Sequence, residues 1–179
     1  LIRGEFIRNY GSYQPNPGHY ALAALEKMGT LRHVITQNID GLHKKAGSQK
    51  VTEIHGSLRE IYCLSCGKEY LAPHVPEGDP PFCECGGVLK PNTVLFGEQL
   101  PREALETAYR ESSTCKTMLV IGTSAVVQPA ASLPSLAKQN GALVIEVNPE
   151  KAFATADYHI AEKAGKALAG IVEQVKNRA

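Results

Sequence analysis

Four cysteines in the middle of the chain constrain its fold more than any other feature. Cys63 and Cys66 form a C-x2-C pair, and Cys83 and Cys85 form a C-x-C pair further along. Two close pairs with such a gap are typical of one four-thiolate site, in which each pair lies on a tight turn and supplies two ligands to a tetrahedral ion. We therefore predict a structural zinc site. With all four positions filled by sulfur, the metal should hold structure and do no chemistry.

Two disulfides or four free thiols are the alternatives to this zinc site. Cysteines this close seldom bridge within one turn, and nothing else in the chain is typical of a secreted protein. The first residues lack the hydrophobic region of a signal peptide, so we expect none. Cys115 is unpaired by this count. Together with the thiolate cluster, it predicts a reducing, cytoplasmic setting.

Composition excludes several classes of protein. The chain of 179 residues is 43% hydrophobic and 21% charged, as is ordinary for a globular protein. Its formal net charge of +1 gives no electrostatic case for nucleic acid or an anionic membrane as main partner. The apolar runs are far too short to span a bilayer. The sequence makes no prediction of oligomeric state.

Strand-like and helix-like segments alternate along most of the chain. Asn16 and Pro17 are suited to the N-cap and first position of a helix that ends at Gly29. The predicted strands are 31–36, 117–121, 142–147 and 158–161, and the later helices open at Pro101 or cover 131–139 and 164–177. This alternation predicts an α/β fold with a doubly wound, mostly parallel, Rossmann-like sheet.

The stretch 57–90 differs from its surroundings. It contains the paired cysteines and is rich in proline and glycine, which exclude a long helix. We interpret it as a small zinc-binding insert that cannot hold a core without its metal. The predicted organisation is therefore a first Rossmann-like part over 1–56, the insert over 57–90, and a second Rossmann-like part over 91–179.

Polar or small residues follow three of the predicted strands, at 37–40, at 122–124 and at Asn148. In open α/β sheets ligands bind at the carboxyl ends of the strands, so these segments are candidates for a nucleotide site. Each signal is weak alone, because many strands end in turn-forming residues, and Asn148 can form an Asx turn before Pro149. The G-x-G-x-x-G fingerprint does not occur in the sequence.

His55, which precedes the insert in the context Ile-His-Gly, is a candidate general base. A single histidine is more often structural. Five other histidines compete with it: His19, His33, His43, His74 and His159. His33 is expected inside a strand as a packed or solvated residue, and His74 has no obvious partner among the prolines of the insert.

Motifs in a fixed order resemble the sirtuin family over nearly all of the chain. They are Thr-Gln-Asn-Ile-Asp-Gly-Leu-His at 36–43, Ile-His-Gly-Ser at 54–57, the paired cysteines, Pro-Asn-Thr-Val-Leu-Phe-Gly-Glu at 91–98, Gly-Thr-Ser at 122–124 and Glu-Val-Asn at 146–148. The Asn-Pro-Gly-His segment at 16–19 is similar to the start of the helix that precedes the first motif. A four-cysteine insert between His-Gly and Phe-Gly-Glu makes the resemblance highly specific.

The resemblance implies an NAD-dependent protein-lysine deacylase. In that family the acyl oxygen of the modified lysine attacks the carbon that releases nicotinamide, and the alkylimidate formed is resolved after a histidine, here His55, acts as base on the ribose hydroxyls. Asn38 and Asp40 are implied to hold the nicotinamide ribose and its water. The implied contacts to NAD are Gln37, Asn38, Ile39, Asp40, Gly122, Thr123, Ser124, Asn148, Pro149, Glu150 and Ala164. An acylated lysine on a protein or peptide is implied to bind along Val94, Phe96, Gly97 and Glu98 by strand addition.

The chain departs from the family pattern in three places. The family's Gly-Ala-Gly-Ile-Ser segment does not precede Thr36, and we expect the missing part to lie in an upstream stretch outside this sequence. C-x-C replaces the commoner C-x2-C in the second cysteine pair, and Glu162 replaces a frequent glycine near the adenine end. The alternative functions are a non-enzymatic zinc-ribbon and Rossmann binding module, a protein ADP-ribosyltransferase, or a fragment that binds substrate without turnover.

Overall fold

Helices and parallel strands alternate over most of the structure, a computed structural model that describes residues 4–177. The helices are α1 (Gly4–Arg8), α2 (Pro17–Lys27), α3 (Leu42–Lys45), α4 (Arg102–Thr114), α5 (Leu133–Gln139), which follows a 3-10 turn at Ala130–Ser132, and α6 (Ala164–Lys176). The strands are β1 (Val34–Thr36), β2 (Val51–Glu53), β3 (Gly56–Cys63), β4 (Glu69–Leu71), β5 (Leu89–Thr93), β6 (Thr117–Ile121), β7 (Leu143–Val147) and β8 (Tyr158–Ile160). Within 4–177, every helix is too short or too polar to cross a membrane.

Parallel pairing brings the carboxyl ends of several strands together. β1 pairs with β2 in one parallel sheet, and β6, β7 and β8 form a second parallel sheet in that order. A helix lies between the paired strands in both β1–α3–β2 and β6–α5–β7, because parallel neighbours need a crossover. The predicted α/β class with parallel strands is confirmed.

Helix α2 begins and ends as its sequence predicts. The Asn16 side chain accepts hydrogen bonds from the backbone N–H groups of Gly18 and His19, and His19 Nδ1 accepts one from the Asn16 backbone N–H, which completes a capping box. Gly29 follows the helix with φ +74°, a conformation that glycine adopts without strain. The apolar face of α2, including Leu22 and Leu25, packs against α6.

The first predicted strand is wrong in its N-terminal half. We expected a strand over 31–36, but β1 contains only Val34–Thr36. Its partner β2 is equally short, so residues 31–33 have no strand to pair with in the part of the chain that the structure describes. His33 therefore lies before the strand, where its Nε2 is 2.8 Å from the Thr52 hydroxyl.

The insert is a three-stranded antiparallel sheet in the order β4–β3–β5. Its small core contains Ile61, Leu89, Cys63 and Cys83, together with Ile7 from α1. Helix α1 was not predicted, because its partner is distant in sequence and its own pattern is weak. The division into 1–56, 57–90 and 91–179 stays a prediction, and we propose that α1 is counted with the insert on this contact.

Gly56 marks the tight entry into the insert. Its φ is +75°, and a Cβ at this position would lie 2.0 Å from the Asn92 carbonyl oxygen on β5. Only glycine avoids this clash, because the obstacle is backbone. The residue that follows His55 is therefore set by the close approach of β3 to β5.

Candidate functional site at the carboxyl ends of the strands

A chain of hydrogen bonds joins residues that follow four different strands. His55 Nδ1 lies 3.1 Å from the Gln37 carbonyl oxygen, and Gln37 Nε2 lies 3.5 Å from the Thr123 hydroxyl. Asn148 Nδ2 in turn donates to the Thr123 carbonyl oxygen over 3.0 Å. These residues follow β2, β1, β6 and β7, so the structure brings the predicted site residues of both parallel sheets to one edge.

The partner of His55 fixes which ring nitrogen carries the proton. A backbone carbonyl oxygen can only accept, so the His55 Nδ1–H donates to Gln37. In the neutral ring Nε2 then carries no proton and keeps a free lone pair. His55 is half-buried at the strand edge, which leaves a proton acceptor facing the place where a ligand binds in folds of this class.

The loop at 37–41 is held from both sides. The Asp40 carboxylate accepts a hydrogen bond over 3.0 Å from the backbone N–H of Leu42, the first residue of α3. The Ile39 carbonyl oxygen accepts from the backbone N–H of Leu58 on β3. Asn38 remains exposed, with its side chain available to a ligand.

The other histidines have different positions or contacts from those of the proton acceptor His55. His19 caps α2, and its ring lies 4.7 Å from that of His43 in an edge-to-face contact. His74 is exposed in a turn of the insert. His159 does reach the strand edge, but its Nε2 donates to the Asn148 carbonyl oxygen over 2.8 Å. Of the two histidines at the strand edge, His55 is the one whose ring is bonded to the loop that follows β1, whereas the ring of His159 holds the Asn148 backbone.

The remaining predicted nucleotide contacts divide into two groups. The exposed ones lie directly after β6 or β7, at Gly122, Ser124, Pro149 and Glu150. Gly122 has φ +58°, which turns the chain as it leaves β6. Ala164 differs, because it begins α6 and packs on the α2–α6 core. The described contacts do not link it to the chain of hydrogen bonds that starts at His55.

Sequence reasoning missed two residues that hold Asn148. Glu146 on β7 is completely buried, and its carboxylate accepts hydrogen bonds from the backbone N–H groups of Ala152 and Phe153. Burial works to raise the pKa of Glu146, but these N–H groups outweigh it and hold the pKa below its ordinary value. A charged residue inside an otherwise apolar strand was the available signal. The second missed residue, His159, carried no comparable signal.

The predicted acyl-lysine segment starts beside the candidate base. The backbone N–H of Val94 donates to the His55 carbonyl oxygen over 2.9 Å. Phe96 is 100% exposed, so its ring has no protein neighbour to cover it in the described residues. The Glu98 carboxylate accepts from the backbone N–H of Leu95 and from Lys90 Nζ, and these bonds keep the pKa of Glu98 below its usual value. Lys90 was also missed.

The four paired cysteines converge as a metal site requires. Their sulfur atoms all lie within 4.8 Å of one another, with 3.5 Å between Cys63 and Cys85 and 3.7 Å between Cys66 and Cys83. Zn–S bonds of about 2.3 Å in a tetrahedron place sulfurs about 3.8 Å apart, so the geometry fits zinc. All four thiols are free of disulfides. Four sulfur ligands fill a tetrahedral shell, so the metal keeps no open coordination position for a catalytic water.

Neighbouring groups shift the pKa values of the cysteine thiols. The Tyr70 hydroxyl donates to Cys83 Sγ over 3.2 Å and lowers the pKa of Cys83 to about 6. The backbone N–H of Gly87 favours the Cys85 thiolate, but the adjacent sulfurs outweigh it and raise the pKa of Cys85 to about 12. Four thiolates therefore repel one another at this distance, and a divalent cation at the centre is the natural compensation.

Comparison with known sequences places the chain among proteins of one family. The model described as "Sir2 family" matches residues 3–129. NAD-dependent protein deacylase 2 of Pyrobaculum aerophilum is 49% identical over 179 residues, which cover 98% of this chain and 71% of that relative.

Two solved structures with the same fold were bound to ligands. A Sir2 homologue mutant in complex with ADP-ribose superposes with a TM-score of 0.90 at 43% identity, over 98% of this chain and 72% of its own. A complex of Sir2 with a p53 peptide and NAD+ gives a TM-score of 0.87 at 38% identity, over 92% of this chain and 72% of its own.

Proposed function

The chain belongs to the Sir2 family, and from that premise we propose that His55 is the base in an NAD-dependent removal of acyl groups from protein lysine. NAD-dependent protein deacylation is the activity that the relatives' names support for this chain. Those names favour deacylation over a binding module or a transferase of ADP-ribose. The products of the reaction are the free lysine, nicotinamide and O-acyl-ADP-ribose.

One observation carries the proposal for His55. Its Nδ1–H is committed to the Gln37 carbonyl oxygen at 3.1 Å, which leaves Nε2 as the basic nitrogen at the strand edge. A base in this position can take a proton from a ribose hydroxyl, provided that the hydroxyl lies within hydrogen-bond reach. We propose that Asn38 and Asp40 act beside it, as the polar groups of the loop that enters from β1.

The strand-edge residues fit a nucleotide. NAD, when bound, supplies the electrophilic carbon that accepts the acyl oxygen and loses nicotinamide. We propose that Gln37 and Ile39 line the side next to His55, that Gly122, Thr123 and Ser124 meet the phosphates, and that Asn148 with Pro149 and Glu150 meets the adenosine ribose. Ala164 is proposed for the adenine end, with no contact among the described residues in its support.

Zinc has a separate part in this proposal. The four thiolates of Cys63, Cys66, Cys83 and Cys85 fill a tetrahedral shell, so the metal stabilises the insert and leaves the chemistry to residues outside it. The charge of +1 does not favour nucleic acid or an anionic membrane surface, and we propose neither as a partner. A cytoplasmic location stays a prediction.

A stoichiometric assay tests the proposed activity. Incubated with NAD+ and an acetyl-lysine peptide, the protein is expected to release one nicotinamide for each acetyl group removed, since the two events belong to one reaction. The same peptide without the acetyl group is the control and should give no nicotinamide. Nicotinamide release with the acetyl group left on the peptide would contradict deacylation and favour ADP-ribose transfer.

We further propose that the acyl-lysine peptide binds as an added strand along 94–98. Val94 is anchored to His55 through its backbone N–H, whereas Phe96 and Gly97 are exposed, which leaves backbone and an apolar ring for an extended peptide. Acetylated peptide is therefore expected to slow amide hydrogen exchange at 94–98. Exchange measured with acetylated and unmodified peptide checks this, and protection confined to 64–88 would contradict it.

A further inference from the structure

Asn148 is held so firmly that only one of its side-chain atoms is free to meet a ligand. Its Nδ2 donates to the Thr123 carbonyl oxygen over 3.0 Å and faces Glu146 Oε1 at 3.4 Å. Its backbone carbonyl oxygen accepts from His159, and its backbone N–H donates to the Ile160 carbonyl oxygen. Within residues 4–177, Asn148 Oδ1 accepts no hydrogen bond.

The hydrogen-bond partners of the Asn148 side-chain amide determine its orientation. Both neighbours of Nδ2 are acceptors, a carbonyl oxygen and a carboxylate oxygen. A rotated amide would place Oδ1 against these two oxygens and would lose both contacts. Asn148 therefore offers an acceptor outward and keeps its donor inward.

Glu146 cannot bind the ligand directly. It is 0% exposed, and its carboxylate accepts from the N–H groups of Ala152 and Phe153 over 2.7 and 3.1 Å. In many dinucleotide-binding folds a carboxylate at a strand end bonds the ribose hydroxyls itself. In this chain the carboxylate lies two residues earlier and acts through Asn148.

We propose that Glu146 is a positioning residue which fixes the Asn148 amide and so makes the site select a dinucleotide with a free adenosine ribose diol over its 2′-phosphorylated counterpart. The inference rests on the proposed function. An outward-facing acceptor bonds a hydroxyl, which donates. A 2′-phosphate offers mainly acceptor oxygens and brings negative charge towards Oδ1 and the carboxylate behind it.

The size of the expected selectivity follows from the cost of an unmatched polar contact. Sites that bond a substrate hydroxyl reject an analogue without it, because the polar group of the site is left without a partner. We expect NAD+ to bind at least ~10-fold more tightly than NADP+. Glu146→Gln leaves one acceptor oxygen for three donors and removes the charge that faces Nδ2. The ratio of the two dissociation constants is therefore expected to fall roughly fivefold.

Binding measured by titration calorimetry with NAD+ and NADP+ tests the proposal without turnover. Asp157→Asn is the matched control, because the Asp157 carboxylate also accepts a backbone N–H from β7, that of Val144, but does not contact Asn148. The control should keep the wild-type ratio. If Glu146→Gln does not fold, Asn148→Ser decides, because it leaves the Glu146 carboxylate with its two backbone donors and replaces the fixed acceptor by a hydroxyl that can also donate. Its ratio should fall as well.

The outcomes separate the two claims. Equal loss of NAD+ and NADP+ affinity in Glu146→Gln would overturn the positioning role and leave Glu146 a residue of stability alone. An unchanged ratio in Asn148→Ser would overturn it too. Wild-type protein that binds both dinucleotides equally would contradict the selectivity while the proposed deacylation stands. Wild-type protein that binds neither would contradict the proposed function itself.

Discussion

Alanine at position 55 is expected to slow NAD-dependent deacylation by about 10² to 10⁴, the usual contribution of a general base. The structure leaves His55 Nε2 as a free proton acceptor, and alanine removes it together with the bond to the Gln37 carbonyl oxygen. Binding of NAD+ should change much less, because the other strand-end contacts remain. Single-turnover rates and calorimetry with NAD+ measure the two effects separately.

Two further variants sharpen this test. His55→Asn keeps a side-chain N–H that can serve the Gln37 carbonyl oxygen but has no basic nitrogen, so it should be as slow as the alanine variant. His74→Ala is the matched control, because His74 is exposed in the insert, and its rate should equal that of the wild type. A His55→Asn rate within a few-fold of the wild type would show that another group is the base.

Loss of the zinc ligands is expected to unfold the insert. Two of the five buried residues of its core, Cys63 and Cys83, belong to the thiolate cluster, so the apolar core is too small to hold the segment alone. Structural zinc sites contribute apparent binding free energies of about 10 to 16 kcal/mol, which in small modules is largely folding free energy. Cys83→Ser with Cys85→Ser should therefore abolish zinc binding and expose the amides of β3–β5.

Metal analysis and hydrogen exchange measure these two consequences. The wild type should carry about one equivalent of zinc, as one tetrahedral site requires. Cys115→Ser is the control, because Cys115 lies outside the cluster and bonds the Ser112 carbonyl oxygen. It should keep the full equivalent. A double variant that also retained it would show that the four thiolates are not the zinc ligands.

Local signals were sufficient for the elements of the second parallel sheet. Strand β6 was predicted with its observed bounds, and β7 and α6 within a residue or so, because each is an apolar segment bounded by a glycine, an asparagine or a polar run. The zinc site was also predictable from the sequence, because the spacing of the four cysteines indicates it. Such features depend on residues that are close together in the sequence, so one sequence is enough to predict them.

The sequence-based predictions failed where the local structure depends on residues from other parts of the chain. Strand β1 is shorter than the predicted strand over 31–36 because β2 offers only three partners, and α1 exists because Ile7 fits among Ile61 and Leu89 of the insert. Glu146 was overlooked for the same reason. Its charge inside an apolar strand was visible, but its backbone partners come from a loop that follows the strand, and the sequence does not indicate that this loop folds back over the carboxylate.

The pairing of Gly56 with Thr93 closes the insert at its base. Gly56, where the chain enters β3, and Thr93, where it leaves β5, are register partners. The backbone N–H of the next residue, Val94, donates to the His55 carbonyl oxygen. Everything between these two points therefore forms a side branch whose ends are already joined. Leu58, near the start of this branch, also holds the loop at 37–41 through the Ile39 carbonyl oxygen. A longer or shorter branch beyond Leu58, in the part that carries the four cysteines, is therefore expected to leave the base and the peptide-binding segment at the same separation.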